Sequence, residues 1–295
     1  MGTSSHAPAS PGRIAERWAV ERWRRAHGGG PDGARGFGAG SLLLLAALGG
    51  CAAPLAPPEV GRAEVDAAHA SIAAAPPAAV QARLPGTEAA MLAVVTRRVS
   101  AAADPLCVAE LGRACGFEVR LDSSETARAA ADGRGRVSVS VGMVRLVEGE
   151  DELAAVVGHE FGHHLAGHLG RQLTRGTAAA MAASALLGAV VPFGGVAAWA
   201  LGQGAAEVGA YTARLAFSKQ EEREADYIGA YLVARAGYDL ERSGRLWMRL
   251  ARPGAPATAG LLSSHPADAE RLALWRRTIE EIRASPDLVP RRAGS

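Results

Sequence analysis

Apolar residues recur along this chain with two different spacings, and each spacing predicts a different kind of element. In residues 87–102, Leu92, Val95 and Val99 lie on one stripe behind Thr87, a residue type that favours helix N-termini. This spacing predicts an amphipathic helix over residues 87–102. Because the preceding residues lack such a pattern, we expect the folded domain to begin near this helix.

Alternating and helical patterns follow one another in the middle of the chain. Residues 117–121 and 137–141 alternate apolar and polar side chains, as half-buried strands do. Asp151 and Glu152 then precede the apolar residues 153–157, and acidic side chains suit the N-terminus of a helix. Two strands followed by a buried helix predict an α+β fold that is mainly helical.

The first 85 residues lack the pattern of a packed core. Residues 41–48 form an apolar block behind several arginines, in the order of a secretory signal, and the block is too short to span a bilayer as a helix. Residues 51–85 are rich in Ala and Pro, which predicts a tether, interrupted by a short helix around residues 62–74. The predicted organisation is a leader at 1–50, a tether at 51–85, a folded domain at 86–285 and a tail at 286–295.

The end of the apolar block, Leu48-Gly49-Gly50-Cys51, resembles the lipobox of bacterial lipoproteins. The resemblance implies that cleavage leaves Cys51 as a lipid-bearing N-terminus on the periplasmic face of a bacterial membrane, and Ala52 favours the outer membrane. The alternative is an uncleaved anchor followed by an unrelated cysteine.

Residues 177–202 contain no charged side chain and are rich in Ala and Gly, with a Pro192-Phe193-Gly194-Gly195 break. Three structures fit this composition: a transmembrane helix, a buried helical hairpin, and a hairpin that enters the lipid surface. The break and the low content of large apolar residues favour the buried hairpin.

Two cysteines remain beyond Cys51, and an exported protein favours a disulfide between them, Cys107 with Cys115. Two further metal ligands would be the alternative, but no other Cys or His lies between residues 70 and 158.

The net charge is +2, and no basic helix with interleaved aromatic residues follows the leader. Nucleic acid is therefore not an expected partner.

The candidate chemistry lies in His159-Glu160-Phe161-Gly162-His163. On a helix, side chains four apart share a face, so His159 and His163 can bind one metal ion. Glu160, turned by about 100°, can act on a water bound to that metal. The motif predicts one zinc ion per chain, with Glu160 as the general base of a hydrolase.

A catalytic zinc usually has three protein ligands and an open position. A His six residues after the second imidazole is one source of the third ligand, but that position is Leu169. A later helix is the other source, and Glu222 and Asp226 lie four apart there. One of them can bind zinc while the other orients a ligand imidazole; Glu224 would point elsewhere.

With these motifs, the chain resembles the zinc metallopeptidases that include the CAAX prenyl endopeptidases and the HtpX-type membrane proteases, over roughly residues 86–285. Further matching positions are Asp151-Glu152-Leu153-Ala154, His168, Ser264-His265-Pro266 and Arg271. The resemblance implies a zincin-like domain in which His159, His163 and Glu222 bind zinc. It also implies that Glu160 is the base and that Asp226 supports a zinc-binding histidine.

Three further histidines, His164, His168 and His265, lie outside the zinc motif. His265 is a candidate donor to the oxyanion, a candidate fourth ligand in a resting state, or a simple helix cap. His164 and His168 are also four apart, but a continuous helix would turn them about 100° from the zinc face, so a second metal site is not expected.

The predicted function is endopeptidase cleavage of envelope or membrane-associated proteins, with protein or peptide substrates and a role in quality control. In peptidases of this architecture the last strand before the zinc helix is a sheet edge, so residues 136–141 are the expected place for a substrate strand to add, or a simple solvent-facing edge. The alternative function is a metal-binding envelope lipoprotein that acts mainly as a chaperone or scaffold.

Overall fold

The computed structural model describes residues 55–84, 86–132, 134–190, 217–253, 265–285, 287–292 and 294, and for residues 179, 180 and 182–190 it describes the backbone alone. The helices of this part are α1 (Arg62–Ala74), α2 (Thr87–Leu111), α3 (Val141–Leu146), α4 (Glu150–Leu165), α5 (His168–Val190), α6 (Lys219–Arg235), α7 (Leu240–Leu250) and α8 (Ala269–Ala284). The strands are β1 (Glu118–Asp122), β2 (Ala129–Ala131) and β3 (Arg136–Ser140). The predicted α+β, mainly helical architecture is confirmed.

The three strands form one sheet in the order β1-β3-β2. β1 runs parallel to β3, with Val119 opposite Val137, and β2 runs antiparallel to it, with Ala130 opposite Ser138. Since β3 is paired on both sides, the prediction that residues 136–141 form an edge open to a substrate strand is wrong. The strand that closes this side, β2, was missed because three consecutive alanines show no strand pattern.

Helix α2 begins at Thr87 as predicted, but it continues beyond residue 102 to Leu111. Gly112 ends it in the left-handed region, with φ of 70°, which a glycine adopts without strain. A disulfide then joins Cys107 on the last turns of α2 to Cys115. The predicted pairing of these cysteines is confirmed, and it fixes the chain between α2 and β1.

Helix α4 is the centre of the fold. It packs against α2, α6 and α7, and every residue from Glu152 to His163 is buried. Its closest neighbour is α6: a Cβ added at Gly158 would lie 3.0 Å from the Gly229 carbonyl oxygen, and one at Gly162 would overlap the backbone of Ala225. The small residues on both helices therefore let the two backbones nearly touch.

A buried ion pair anchors the acidic start of α4. Both guanidinium nitrogens Nη1 and Nη2 of Arg249, on α7, lie 2.6 Å from the Glu152 carboxylate. The acidic residues that predicted a helix N-terminus thus include one with a specific partner from a distant part of the chain.

The beginning and end of the described chain meet on the domain. Helix α1 packs against α8, with Ala68 and Ile72 buried beside Leu272. Leu55 pairs with Arg292 as an isolated antiparallel bridge. The described part of the segment predicted to be a tether, residues 55–84, therefore lies against the folded domain from its first residue.

No helix in the described ranges has both the length and the apolar character needed to cross a membrane. The apolar segment 177–202 lies largely outside these ranges, because its backbone is described only to residue 190. The hairpin expected there stays a prediction.

We expect Gly162→Ala to lower the free energy of unfolding by about 1–3 kcal/mol, because the added methyl group would force α4 away from α6. Gly170→Ala is the matched control: this exposed glycine on α5 has open space around its Cβ direction, so alanine should be neutral or stabilise by up to about 1 kcal/mol. Urea unfolding measures both. Equal effects of the two substitutions would contradict the close approach of α4 and α6.

Candidate metal centre

Two helices supply the central residues of the site. His159, Glu160 and His163 project from α4, and Glu222 and Asp226 project from α6. The spacing of four residues on each helix places each pair on one face, and the glycine contacts bring the two faces together. All five side chains are buried.

Three of these residues present nitrogen or oxygen atoms to one point. The Nε2 atoms of His159 and His163 are 3.0 Å apart. Each lies 3.4 Å from an oxygen of the Glu222 carboxylate. In a tetrahedral zinc site with bonds of about 2.0–2.1 Å, ligand atoms are about 3.3 Å apart, so the spacing fits such an ion.

His265 joins this group from the segment before α8. Its Nδ1 lies 3.2 Å from His159 Nε2 and 3.0 Å from Glu222 Oε1. The cap of α8 is Asp268, whose carboxylate accepts a hydrogen bond from the backbone of Arg271. The structure thus places His265 in the candidate ligand group and gives the helix cap to another residue.

Asp226 and Arg271 hold the His159 side of the site. Asp226 Oδ1 lies 2.8 Å from His159 Nδ1, the nitrogen that faces away from the ligand group. Arg271 donates to both oxygens of Asp226, at 2.7 and 2.8 Å. A third nitrogen of Arg271 lies 2.8 Å from Glu222 Oε2. One buried guanidinium therefore compensates two buried carboxylates.

The charges of this cluster favour a cation at its centre. Burial alone would raise the carboxyl pKa values, but Arg271 holds the pKa of Asp226 and of Glu222 below their usual range. Burial opposes protonation of His159, yet the hydrogen bond and charge of Asp226, with Glu222, raise its pKa to about 9. Burial dominates at His163 and lowers its pKa well below the ordinary value. Either a proton on His159 or a metal ion bound at its Nε2 would supply positive charge beside the carboxylates of Asp226 and Glu222.

Sequence reasoning missed two features around His163. His168 is fully buried and lies 2.8 Å from His163 Nδ1, with Glu224 on its other side. Phe217 stacks on the His163 ring at a centroid distance of 3.9 Å. Only the resemblance pointed to His168, and no pattern singled out Phe217. His164 is partly exposed and meets the edge of Phe117 instead.

The residues fit a zinc ion. His159, His163, Glu222 and His265 form a buried group of imidazole and carboxylate ligands, the types that zinc prefers. Beside it, Glu160 Oε1 is buried and has no hydrogen-bond partner among the described residues. A buried carboxylate oxygen that makes no hydrogen bond and lies 3.5 Å from His265 Nε2 is costly unless a further group binds there.

Comparison with known proteins identifies the family. The sequence profile of peptidase family M48 matches residues 92–279. The chain belongs to peptidase family M48. Members of this family are zinc metalloproteases, which bears out the predictions of a metalloprotease domain and of zinc as its cofactor. The resemblance drawn from the motifs is confirmed at the level of the M48 family.

Several curated relatives share this domain. Mitochondrial metalloendopeptidase OMA1 of Arabidopsis thaliana is 32% identical over 137 residues, covering 46% of this chain and 26% of the relative. A putative beta-barrel assembly-enhancing protease of Vibrio cholerae is 30% identical over 146 residues, covering 47% and 29%. Metalloprotease LoiP of Escherichia coli is 29% identical over 162 residues, covering 54% and 61%. The chain therefore spans less than two thirds of each of these relatives.

Proposed function

We propose that this M48 metalloprotease is an endopeptidase that cleaves envelope or membrane-associated proteins as part of their quality control. The observation that carries the proposal is the buried ligand group with Glu160 beside it. The name of the Vibrio cholerae relative, which refers to beta-barrel assembly, supports the choice of substrate class.

We assign the zinc ligands to His159, His163 and Glu222. Bound zinc supplies a Lewis acid that acidifies water and polarises a peptide carbonyl. Asp226 keeps the proton of His159 on Nδ1, so that Nε2 presents its lone pair to the ligand group. Arg271 keeps Asp226 and Glu222 ionised, which both roles require.

Glu160 acts as the general base. Its Oε1 atom is not engaged by any hydrogen bond in the described chain, so it is free to take a proton from the attacking water. The same carboxyl group then delivers that proton to the leaving amine. Burial among apolar helices keeps bulk water from competing for it.

His265 keeps the site closed in the resting enzyme. A catalytic zinc site leaves one position for water, whereas structural sites have four protein ligands. His265 Nδ1 stands where a fourth ligand would, and its Nε2 lies 3.5 Å from Glu160 Oε1. We infer that His265 withdraws before a substrate is cleaved.

The protein acts from a membrane surface in this proposal. Cys51 carries a lipid after removal of residues 1–50, and Ala52 directs the lipoprotein to the outer membrane. The lipobox-like sequence supports this, as does the relatedness to proteases whose names concern beta-barrel assembly.

We expect Glu160→Gln to retain about one zinc per chain and to lower casein cleavage by about 10²–10⁴-fold, because the proton acceptor is lost while the ligands stay. Glu118→Gln, at an exposed glutamate paired with Arg120, should leave both quantities unchanged. Metal analysis and a cleavage assay on the purified full chain measure them. Equal activity of zinc-loaded wild type and Glu160→Gln would favour a chaperone or scaffold role.

His265→Ala should raise the rate of casein cleavage several-fold, since it opens the fourth position around the metal. If His265 instead donates to the oxyanion, the same variant should lose about 10²–10³-fold in rate. The direction of the change therefore distinguishes the two roles. His69→Ala, at an exposed histidine on α1, serves as the control.

Mass spectrometry of the mature protein should show an N-terminus at Cys51 with the added mass of a lipid. Cys51→Ala should abolish that mass and release the protein from membranes, whereas Ala53→Ser should not. An intact leader on the wild-type protein would overturn the lipid anchor and leave the protease assignment standing.

A further inference from the structure

The second ligand histidine, His163, has its own support, built from residues outside the ligand group. Its Nδ1 atom lies 2.8 Å from Nδ1 of His168. The other nitrogen of His168, Nε2, lies 3.0 Å from Glu224 Oε2 on α6. His168 is completely buried, and Glu224 is largely so. The three side chains therefore form a chain of two contacts from the ligand group to a partly exposed carboxylate.

The protons along this line have one consistent arrangement. When His163 presents the Nε2 lone pair to a metal ion, its remaining proton is on Nδ1. His168 Nδ1 must then accept this proton in a hydrogen bond, so the proton of His168 is on Nε2. That N–H donates to the Glu224 carboxylate, which can only accept. Each donor thus meets an acceptor, in the direction that suits metal binding.

A turn places His168 where a continuous helix could not. Helix α4 ends at Leu165, and Gly167 follows with φ of 69°. In an uninterrupted helix, His168 would lie about 140° around the axis from His163, since each residue turns by about 100°. The left-handed residue at Gly167 instead starts α5 in a new direction, so that the first residue of α5 faces back toward His163.

The two ligand histidines are therefore supported by different chemistry. His159 has a carboxylate acceptor, Asp226, which Arg271 neutralises. His163 has an imidazole acceptor, and the carboxylate stands one group further away. Arg171 reaches Glu224 only at 3.5 Å and is half exposed.

We propose that His168 and Glu224 are positioning residues that hold the His163 imidazole in the Nδ1-protonated form and thereby set how tightly the enzyme retains zinc. This inference rests on the proposed role of His163 as a ligand. The competing explanation is that the pair only ties α5 to α6, as the bond of Arg175 to Glu221 does nearby.

The test is the zinc dissociation constant of the full chain, measured by competition with a chelator. His168→Phe keeps an aromatic ring at this position but removes the Nδ1 acceptor, so zinc should bind about 10–100-fold more weakly. His168→Asn keeps an oxygen acceptor near the Nδ1 position and should bind zinc within about threefold of wild type.

The matched control is Arg175→Gln, which breaks a tie between α5 and α6 without touching His168. It should lower the urea midpoint but leave the zinc dissociation constant within about twofold. If His168→Phe fails to fold, Glu224→Leu replaces it, with an expected weakening of about 3–10-fold.

Two results would overturn the inference: wild-type zinc binding by folded His168→Phe, or equal weakening by Arg175→Gln. His163→Phe separates this from failure of the proposed function. If that variant also binds zinc like the wild type, the ligand assignment itself is wrong. If it loses zinc while His168→Phe does not, only the positioning role fails.

Discussion

The close approach of α4 and α6 is the constraint on which the site depends. Gly158 faces Gly229 and Gly162 faces Ala225, so the two backbones meet at two points about one helical turn apart. A larger side chain at these positions would move Glu222 away from the imidazoles of α4. Gly158 and Gly162 therefore contribute by keeping the two helices close together. This closeness lets the Glu222 carboxylate lie within 3.4 Å of the Nε2 atoms of His159 and His163.

That approach also buries charges, and Arg271 makes this tolerable. A buried carboxylate without a cation would take up a proton and cease to serve as a metal ligand or as an acceptor for imidazole. Arg271 contacts Asp226 and Glu222 together, so a single guanidinium from α8 supports both. Helix α8 is thus part of the site, although none of the proposed zinc ligands lies on it.

The sequence predicted the parts of the site that lie within single helices, and it missed those that depend on turns between elements. His159 with His163, and Glu222 with Asp226, follow from a spacing of four. The place of His168 depends on the backbone at Gly167, which a helical wheel ignores. Likewise, the predicted edge role of β3 failed because β2 has no pattern by which its pairing could be foreseen. The Cys107–Cys115 bond was predictable because few partners were available.

The pairing of Leu55 with Arg292 limits the distance between the folded domain and a lipid attached to Cys51. With a lipid on Cys51, as proposed, only four residues separate the bilayer from the folded body, and they span at most about 14 Å. A domain of this size has a radius of gyration of about 18 Å. Because this radius exceeds the reach of the four residues, the domain could not rotate freely above the bilayer. A protein anchored in this way would stay within a thin layer above the bilayer, so it could meet only partners that reach that layer.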